Sequence, residues 1–323
     1  MTPFGHLSDG REVHALSIAA GELSARILTR GATLHDLRLA GVGRNLTVGD
    51  DDLKLYEGTG PLIYHGAIVA PVGNRIRGAR AMIDGRERWF EANQGPHILH
   101  SGRWGSQFKL WEVEEARADA VALAVTLPDG EGGFPGERRL RARFTALPPA
   151  TLRLEIEGTT DQPTLWNPVN HSYWNLDGSP TWEGHSLRIA ADAYLPVDAD
   201  ILPTGEIAPV AGTPFDLRDA RRLRPGEPVL DHNFCTAREA QALREVLWLR
   251  GASGLAMALA TTEPGVQVYD GNQGARPGAE RFEAFAIEAQ RWPDAPGRPE
   301  WPSILLRPGE TQRQVTEWRF SRA

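Results

Sequence analysis

The 323-residue chain is predicted to be an all-β protein that folds as a large antiparallel β-sandwich. Three observations predict this class: short segments of alternating apolar and polar residues, turn-forming residues between them, and a high content of glycine (34) and proline (24). Alternation with period two puts successive side chains on opposite faces of a strand, so each segment can bury one face. Such strands pair in antiparallel sheets that stack in layers.

Alternating segments recur along the chain. In 151–157 (TLRLEIE), Leu152, Leu154 and Ile156 share one face. The segment 237–249 has helix-like apolar spacing, but its second half also fits two strands around a turn at 251–254, and the two-strand interpretation is favoured. The same alternation predicts further strands at 25–28, 121–127, 187–190, 257–261 and 314–320.

Three stretches rich in proline and glycine interrupt the predicted strands. They are 128–136 (PDGEGGFPG), 224–228 (RPGEP) and 291–302 (RWPDAPGRPEWP). Loops of this composition often carry functional residues. None has the length and charge of a linker between domains, so residues 1–323 are predicted to form a single domain.

The charge and composition of the chain exclude several classes of protein. The net charge of −7 is spread along the sequence without a basic stripe, which argues against a nucleic-acid partner. No segment approaches the roughly 18 apolar residues that a membrane span needs, and the N-terminal residues do not resemble a secretion signal. The single cysteine, Cys235, cannot form an intramolecular disulfide. We therefore expect a cytoplasmic protein without a membrane partner.

Two segments place polar chemistry among apolar side chains. In 166–176 (WNPVNHSYWNL), aromatic rings and amides surround His171, a composition that suits a sugar ligand. In 285–293 (FAIEAQRWP), Glu288 lies within an apolar strand, and a buried carboxylate is often either ion-paired or held with a raised pKa for proton transfer. Each residue also has a structural interpretation: His171 as a hydrogen-bonded core histidine, and Glu288 as the partner of an arginine.

Further polar candidates are weaker, because each also has an ordinary role in a turn, a cap or a solvated surface. The histidines show no HxH or HExxH spacing, so no metal site is predicted. Nucleotide-binding glycine motifs and GxSxG are missing from the sequence, so neither a nucleotide cofactor nor a serine hydrolase is predicted. The weaker candidates are Asn74, Arg75, His100, Asp231 and Gln267.

Taken in order, these segments resemble the aldose 1-epimerase, or galactose mutarotase, family. The similarity runs from about residue 60 to the C-terminus and rests on several long segments rather than on one motif. The matching segments are 73–85 (GNRIRGARAMIDG), 93–102 (NQGPHILHSG), 133–137 (GFPGE), 167–178 (NPVNHSYWNLDG), 191–218, 231–234 (DHNF), 261–272 (TTEPGVQVYDGN) and 286–310.

The resemblance implies a supersandwich fold with a sugar-binding cleft, no cofactor, and interconversion of the α and β anomers of a free aldose. It assigns the base to Glu288 and the acid to His171, with Tyr173 near the acid. For His171 to hold a proton near neutral pH, we expect a nearby carboxylate to raise its pKa, and Asp231 is a candidate. The resemblance also implies that sugar hydroxyls are bound by Asn74, Arg75, His100, Asp231 and Gln267.

Three alternatives to a free-aldose epimerase remain open at this point. A glycoside hydrolase would use the carboxylates of Glu288 and Asp231, and a non-catalytic sugar-binding protein would keep the cleft without turnover. A hexose-6-phosphate 1-epimerase would need a cationic pocket for the phosphate. The chain reads APVGNRI at 70–76 where the family commonly shows GRYANRI, so the sequence favours a reaction type rather than a particular sugar. The cationic candidates are Arg75, Arg77, Arg80 and Arg291.

Overall fold

A computed structural model describes residues 1–273 and 276–322. These residues form an almost entirely β structure of 27 strands and five short 3-10 helices, without an α-helix among them. The predicted all-β class is therefore confirmed. The predicted single domain over 1–323 includes positions 274, 275 and 323, which lie outside the described residues, and the domain count stays a prediction.

The strands are numbered in chain order. The first nine are β1 (Thr2–His6), β2 (Glu12–Ala20), β3 (Leu23–Leu28), β4 (Thr33–Leu39), β5 (Ile68–Val69), β6 (Arg75–Ile76), β7 (Arg80–Ile83), β8 (Arg86–Trp89) and β9 (Ile98–Leu99). The next nine are β10 (Glu112–Ala116), β11 (Ala120–Leu127), β12 (Arg138–Leu147), β13 (Thr151–Thr160), β14 (Thr164–Leu165), β15 (Val169–Asn170), β16 (Tyr173–Trp174), β17 (Ser186–Ile189) and β18 (Ala193–Tyr194).

The remaining strands are β19 (Ala208–Pro209), β20 (Arg221–Arg222), β21 (Asp231–Cys235), β22 (Arg244–Arg250), β23 (Leu255–Thr261), β24 (Gly265–Tyr269), β25 (Phe285–Gln290), β26 (Leu305–Leu306) and β27 (Gln312–Arg322). The 3-10 helices are Leu53–Tyr56, Arg77–Ala79, Gly102–Trp104, Ser106–Phe108 and Glu131–Gly133. None of the described helices is long and apolar enough to span a bilayer.

A nine-stranded antiparallel sheet is the largest element, in the order β10-β11-β12-β13-β27-β23-β22-β17-β20. Its central strands β12 and β13 pair without interruption from Arg138 opposite Thr160 to Leu147 opposite Thr151. Leu152, Leu154 and Ile156 of β13 are buried, as the alternation in 151–157 predicts. One face of this sheet therefore supplies a continuous apolar surface.

The predicted hairpin in 244–261 is confirmed. Strands β22 and β23 pair antiparallel on either side of a turn in which Gly251 N donates to Leu255 O. Residues 237–243 form bends rather than a helix, so the helix-like spacing there does not correspond to one. The other segments predicted to be strands lie within or overlap β3, β11, β17, β23 and β27.

The main hydrophobic core lies between three sheets. A four-stranded sheet, β1-β2-β3-β4, places β2 and β3 against β11 and β12 of the large sheet. A six-stranded sheet, β16-β25-β24-β21-β18-β19, contributes Phe285 and Ile287 to the same cluster that contains Leu16 and Leu152. One face of the six-stranded sheet therefore packs in the core, and its other face carries polar residues.

Candidate active site

Both faces of strand β25 are buried, and they differ in chemistry. Phe285, Ile287 and Ala289 belong to the main core. Because side chains alternate along a strand, Glu288 and Gln290 lie on the opposite face. Glu288 is only 2% exposed, so the sheet carries a carboxylate into a site that excludes most water.

Strand register gathers polar residues from neighbouring strands onto that same face. Gln267 of β24 lies directly opposite Glu288, and Asn233 of β21 lies directly opposite Gln267. Asp231 lies two residues from Asn233 on the same strand and therefore shares its face. Tyr173 of β16 lies opposite Ala286, two residues from Glu288 on β25. The six-stranded sheet thus brings four of the predicted site residues together.

His171 reaches the site from the segment between β15 and β16. Its backbone is fixed by two hydrogen bonds, from His171 N to Ala67 O (3.0 Å) and from Gly66 N to His171 O (2.9 Å). Its Nε2 lies 3.5 Å from Oε1 of Glu288. His171 Nδ1 and Glu288 Oε2 are buried without a hydrogen-bond partner among the described residues. The predicted acid and base therefore face each other, and each keeps one polar atom for a ligand.

A small sheet of β6 and β9 supplies three more predicted residues. Asn74 and His100 extend this ladder: Asn74 N donates to His100 Nδ1 (3.0 Å) and His100 N donates to Asn74 O (2.8 Å). Both have positive φ, 56° and 52°, a region that non-glycine residues seldom adopt outside sites that constrain them. Because Nδ1 of His100 accepts a hydrogen bond, its proton lies on Nε2, and His100 presents a donor.

Arg75 connects the small sheet to the six-stranded sheet. Its Nε donates to Gln94 Oε1 (2.8 Å), and its guanidinium lies 3.8 Å from Oδ2 of Asp231. The other carboxylate oxygen of Asp231 accepts a hydrogen bond from Gln267 Nε2 (2.5 Å). The side chains of the two sheets are therefore held in one network beside Glu288 and His171.

The electrostatics of the pair differ from the sequence-based expectation. Burial lowers the pKa of His171 to about 4, so the proposed acid is neutral at rest, contrary to that expectation. Burial raises the pKa of Glu288 to about 8, with the negative charge of Asp231 acting in the same direction and Arg75 opposing it. Near neutral pH the pair therefore holds one proton, and it rests on Glu288. The charge of Asp231 raises the pKa of Glu288, whereas burial is the main cause of the lowered pKa of His171.

Three donor atoms, from His100, His171 and Glu288, lie within 4.8 Å of one another. This spacing resembles that of a metal site, but the donor set fits a cation poorly. The Nδ1 of His100 is engaged by the backbone of Asn74, and its Nε2 carries the proton, so neither nitrogen offers a free lone pair. The expectation that no metal is bound stays a prediction.

The site contains residues that sequence reasoning missed. Tyr64 stacks on His171 with ring centroids 5.8 Å apart and also contacts His100 at 4.7 Å. His65 stacks on Tyr173 at 3.8 Å, and Tyr173 stacks on His171 at 5.2 Å. A tyrosine–histidine pair inside the otherwise apolar segment 62–70 was a signal that could have identified the first two.

Comparisons with known proteins agree on one family. The family model described as aldose 1-epimerase matches residues 14–319. Galactose mutarotase of Rattus norvegicus is 37% identical over 99% of this chain and 98% of its own length. Aldose 1-epimerase of Escherichia coli K12 is 30% identical over 90% of each chain. The crystal structure of an aldose epimerase homologue from C. elegans superposes with a TM-score of 0.89 at 29% identity, covering 96% of this chain and 99% of that one.

Proposed function

The chain belongs to the aldose 1-epimerase family and is a carbohydrate isomerase, and we propose that Glu288 and His171 are its acid–base pair. The observation that carries this proposal is the 3.5 Å contact between two buried groups whose pKa values are shifted in opposite directions. Pairs of titratable groups with pKa values pushed apart are typical of acid–base sites. The reaction interconverts the α and β anomers of an aldose.

The chemistry requires two proton transfers and no change in the total proton count. A base removes the proton from the C1 hydroxyl, C1 and that oxygen form a carbonyl, and the bond from C1 to the ring oxygen breaks. An acid delivers a proton to the ring oxygen. Rotation about C1–C2 presents the other face of the aldehyde, and the reverse transfers close the ring to the other anomer. The pair gains one proton and gives one up in each half.

We assign the base to Glu288 and the acid to His171. Because the resting proton lies on Glu288, it must first pass to His171 across the gap between Oε1 and Nε2. Hydroxyl groups of a bound sugar donate to the Glu288 carboxylate and favour its ionised form, as does the positive charge of Arg75. Sugar binding therefore prepares the pair. Each positioned proton-transfer group contributes a factor of about 10² to 10⁴ to the rate.

We propose a free rather than a phosphorylated aldose as the substrate. The four arginines that a phosphate would need are all engaged by carboxylates. Arg75 lies 3.8 Å from Asp231 and Arg291 lies 3.9 Å from Glu263. Outside the site, Arg77 pairs with Asp198 and Asp294, and Arg80 pairs with Glu87. A dianionic phosphate would therefore compete with existing ion pairs.

The sugar hydroxyls are proposed to be bound by the polar residues around the pair. His100 Nε2 supplies a donor, and Asp231 supplies an acceptor that Arg75 and Gln267 hold in place. Gln267 also keeps its Oε1 buried without a partner in residues 1–273 and 276–322. Asn74 positions His100, since its backbone holds the ring, and Tyr173 with Tyr64 provides aromatic surface for the sugar C–H face.

Cellular context also remains a proposal. We propose a cytoplasmic enzyme of carbohydrate metabolism with a small-molecule sugar as its partner and no nucleic-acid partner. Its support is the single thiol, Cys235, which cannot form an intramolecular disulfide, and the net charge of −7.

Optical rotation tests the proposed pair directly. Freshly dissolved α-D-glucose, α-D-galactose and L-arabinose are followed with the wild type, Glu288→Gln and His171→Asn, and glucose 6-phosphate is the competing substrate. We expect acceleration by the wild type, loss of it by at least about 10²-fold in both variants, and preference for the free sugars. Acceleration that survives both substitutions would move the acid–base role to other residues, and none with any aldose would leave a non-catalytic sugar-binding protein.

A further inference from the structure

A groove of about 590 Å³ shares none of its lining residues with the site described above. The groove is lined by two tryptophans, Trp89 and Trp104, together with Phe90, Glu91 and the loop 128–133. This loop belongs to the proline- and glycine-rich stretch 128–136, for which the acid–base chemistry has no use. We propose that the groove binds a pyranose ring of a neutral saccharide.

The two tryptophans offer an exposed and an anchored aromatic surface. Trp89 is 61% exposed, although it lies within strand β8, and Arg80 from the paired strand lies over its ring at 5.4 Å. Trp104 is 38% exposed, its indole N–H donates to Glu91, and Arg103 and Lys109 lie over its ring at 5.0 and 5.5 Å. Aromatic rings of this kind pack against the C–H faces of pyranose rings, and an anchored ring loses little entropy when it does so.

The polar groups beside the tryptophans suit hydroxyl groups. Glu131 pairs with Lys109 through Oε1, while its Oε2 is buried without a hydrogen-bond partner in the part of the chain that the structure describes. Asp129 accepts a hydrogen bond from Gly136 N (2.6 Å), and Glu91 pairs with Arg103 (2.7 Å). Carboxylate oxygens accept hydroxyl donors, and the charges of Glu91 and Glu131 are balanced by Arg103 and Lys109. The lining therefore favours a neutral sugar over a charged one.

The loop that forms the other wall is held close to Trp89. Gly133 has a φ of +89°, and a Cβ atom at that position would lie 2.1 Å from the carbonyl oxygen of Trp89. Glu91 N also donates to Gly132 O (3.1 Å). Only glycine permits this approach, so the sequence GG in the loop sets the width of the groove. A preformed groove loses less entropy on binding than a mobile surface.

The bound pyranose ring has two alternative sources, which experiment can distinguish. The ring is either the second unit of an oligosaccharide whose reducing end lies at the acid–base pair, or an independent sugar. Short segments of chain connect the groove to the site, since Trp104 follows His100 by four residues and Glu91 precedes Gln94, the partner of Arg75, by three. Binding of the independent sugar does not rest on the proposed catalytic function, whereas the oligosaccharide arrangement does.

Binding is tested with methyl β-D-glucopyranoside, whose blocked C1 hydroxyl prevents turnover, by saturation-transfer NMR titration. The wild type, Trp89→Ala and the control Met82→Ala are compared, since Met82 is 59% exposed on the same hairpin but does not line the groove. We expect Trp89→Ala to weaken one binding event by about tenfold and Met82→Ala to leave it unchanged. Equal binding of the glycoside by the wild type and Trp89→Ala would overturn the proposal. So would a sedimentation experiment in which Trp89→Ala changes only the self-association of the protein.

Kinetics then identify the source of the ring. The KM for a reducing disaccharide such as cellobiose is divided by the KM for glucose, each measured by optical rotation. If the groove holds the second unit, Trp89→Ala raises this ratio by about tenfold. If the sugar is independent, the ratio stays constant while binding of the methyl glycoside is weakened. Absence of mutarotation would contradict the catalytic proposal and leave the NMR titration interpretable.

Discussion

The nine-stranded and six-stranded sheets each bury one glutamate, and the two carboxylates have different surroundings. Glu317 of β27 is 3% exposed and accepts hydrogen bonds from Arg153 Nε (2.6 Å) and Arg319 Nε (2.7 Å). Glu288 of β25 is 2% exposed and faces His171 at 3.5 Å, and its second oxygen has no partner within the described residues. The two glutamates are equally buried, but Glu317 is neutralised by two arginines, whereas Glu288 lacks such a partner and keeps a proton.

The two sheets also differ in the length of their strands and in the regularity of their backbone. The nine-stranded sheet contains ten-residue strands in continuous register. The site is built from two- to six-residue strands and from residues with strained φ, such as Asn74, His100 and Ser101. Strained non-glycine residues persist only where their surroundings fix them. Hydrogen bonds from Val72 N to Ser101 Oγ (2.8 Å) and from Gln107 Nε2 to His100 O (2.9 Å) supply that support, while the main core continues beneath β24 and β25.

The largest expected effect comes from exchanging each glutamate for glutamine. Glu288→Gln should lower kcat/KM by about 10² to 10⁴ without loss of fold stability. Glu317→Gln should keep the activity and lower the free energy of unfolding by about 1 to 3 kcal/mol, because two arginines lose their charged acceptor. Optical rotation and chemical denaturation measure the two properties. Equal effects of both variants on either property would remove the distinction between the sheets.

The pH dependence of stability tests the raised pKa of Glu288. The folded-state pKa of Glu288 is raised from 4.5 to about 8, so the native state holds this proton more tightly than the unfolded chain does. Its contribution to stability is complete below pH 4.5 and is lost as the pH rises to about 8. Relative to the wild type, Glu288→Gln should therefore gain stability between these values, as measured by the shift of Tm. A constant difference across this range would contradict the raised pKa.

The pH dependence of the rate is the next expected effect. The proposed mechanism requires one proton shared by Glu288 and His171. We therefore expect kcat/KM to fall below a pKa of about 4, where His171 adds a second proton to the pair, and above about 8, where Glu288 loses the one it holds. Beyond each limit the rate should fall about tenfold per pH unit. Initial rates in optical rotation, corrected for spontaneous mutarotation, give this profile. A plateau extending well past the alkaline limit would contradict it.

The smallest expected effect is a shift of the alkaline limb. The negative charge of Asp231 raises the pKa of Glu288, so Asp231→Asn should move that limb to lower pH. The variant should also raise KM, because it alters an acceptor held by Arg75 and Gln267. Asp198→Asn, which alters an ion pair of Arg77 outside the site, is the matched control. A limb that stays in place would show that Asp231 does not act on the acid–base pair.

Much of the fold was predictable because its signal is local. Alternation along 151–157 reports one buried face of the strand, and it does so without knowledge of any partner. The hairpin of β22 and β23 was similarly visible from its turn. The helix-like spacing at 237–243 was misleading, because spacing in a short segment does not reveal which residues tertiary contacts bury.

The candidate site was predictable in its members and not in its arrangement. Segment composition singled out His171, Glu288 and the weaker polar candidates, and the resemblance assigned their roles, but neither identified Tyr64 or His65, which stack on site residues. Neither predicted that the resting proton lies on Glu288. That property depends on burial and on the distance to Asp231 and Arg75, neither of which is encoded in spacing.

Local periodicity and residue identity are enough to predict the all-β class, most strand positions and the family. Tertiary structure alone decided the register that places Gln267 opposite Glu288, the tautomer of His100, and the pairing of every arginine proposed for a phosphate. Register and electrostatics arise between residues that are far apart in the chain, so no local pattern reports them. Glu288 acquires its raised pKa only when the sandwich closes around it and removes its water.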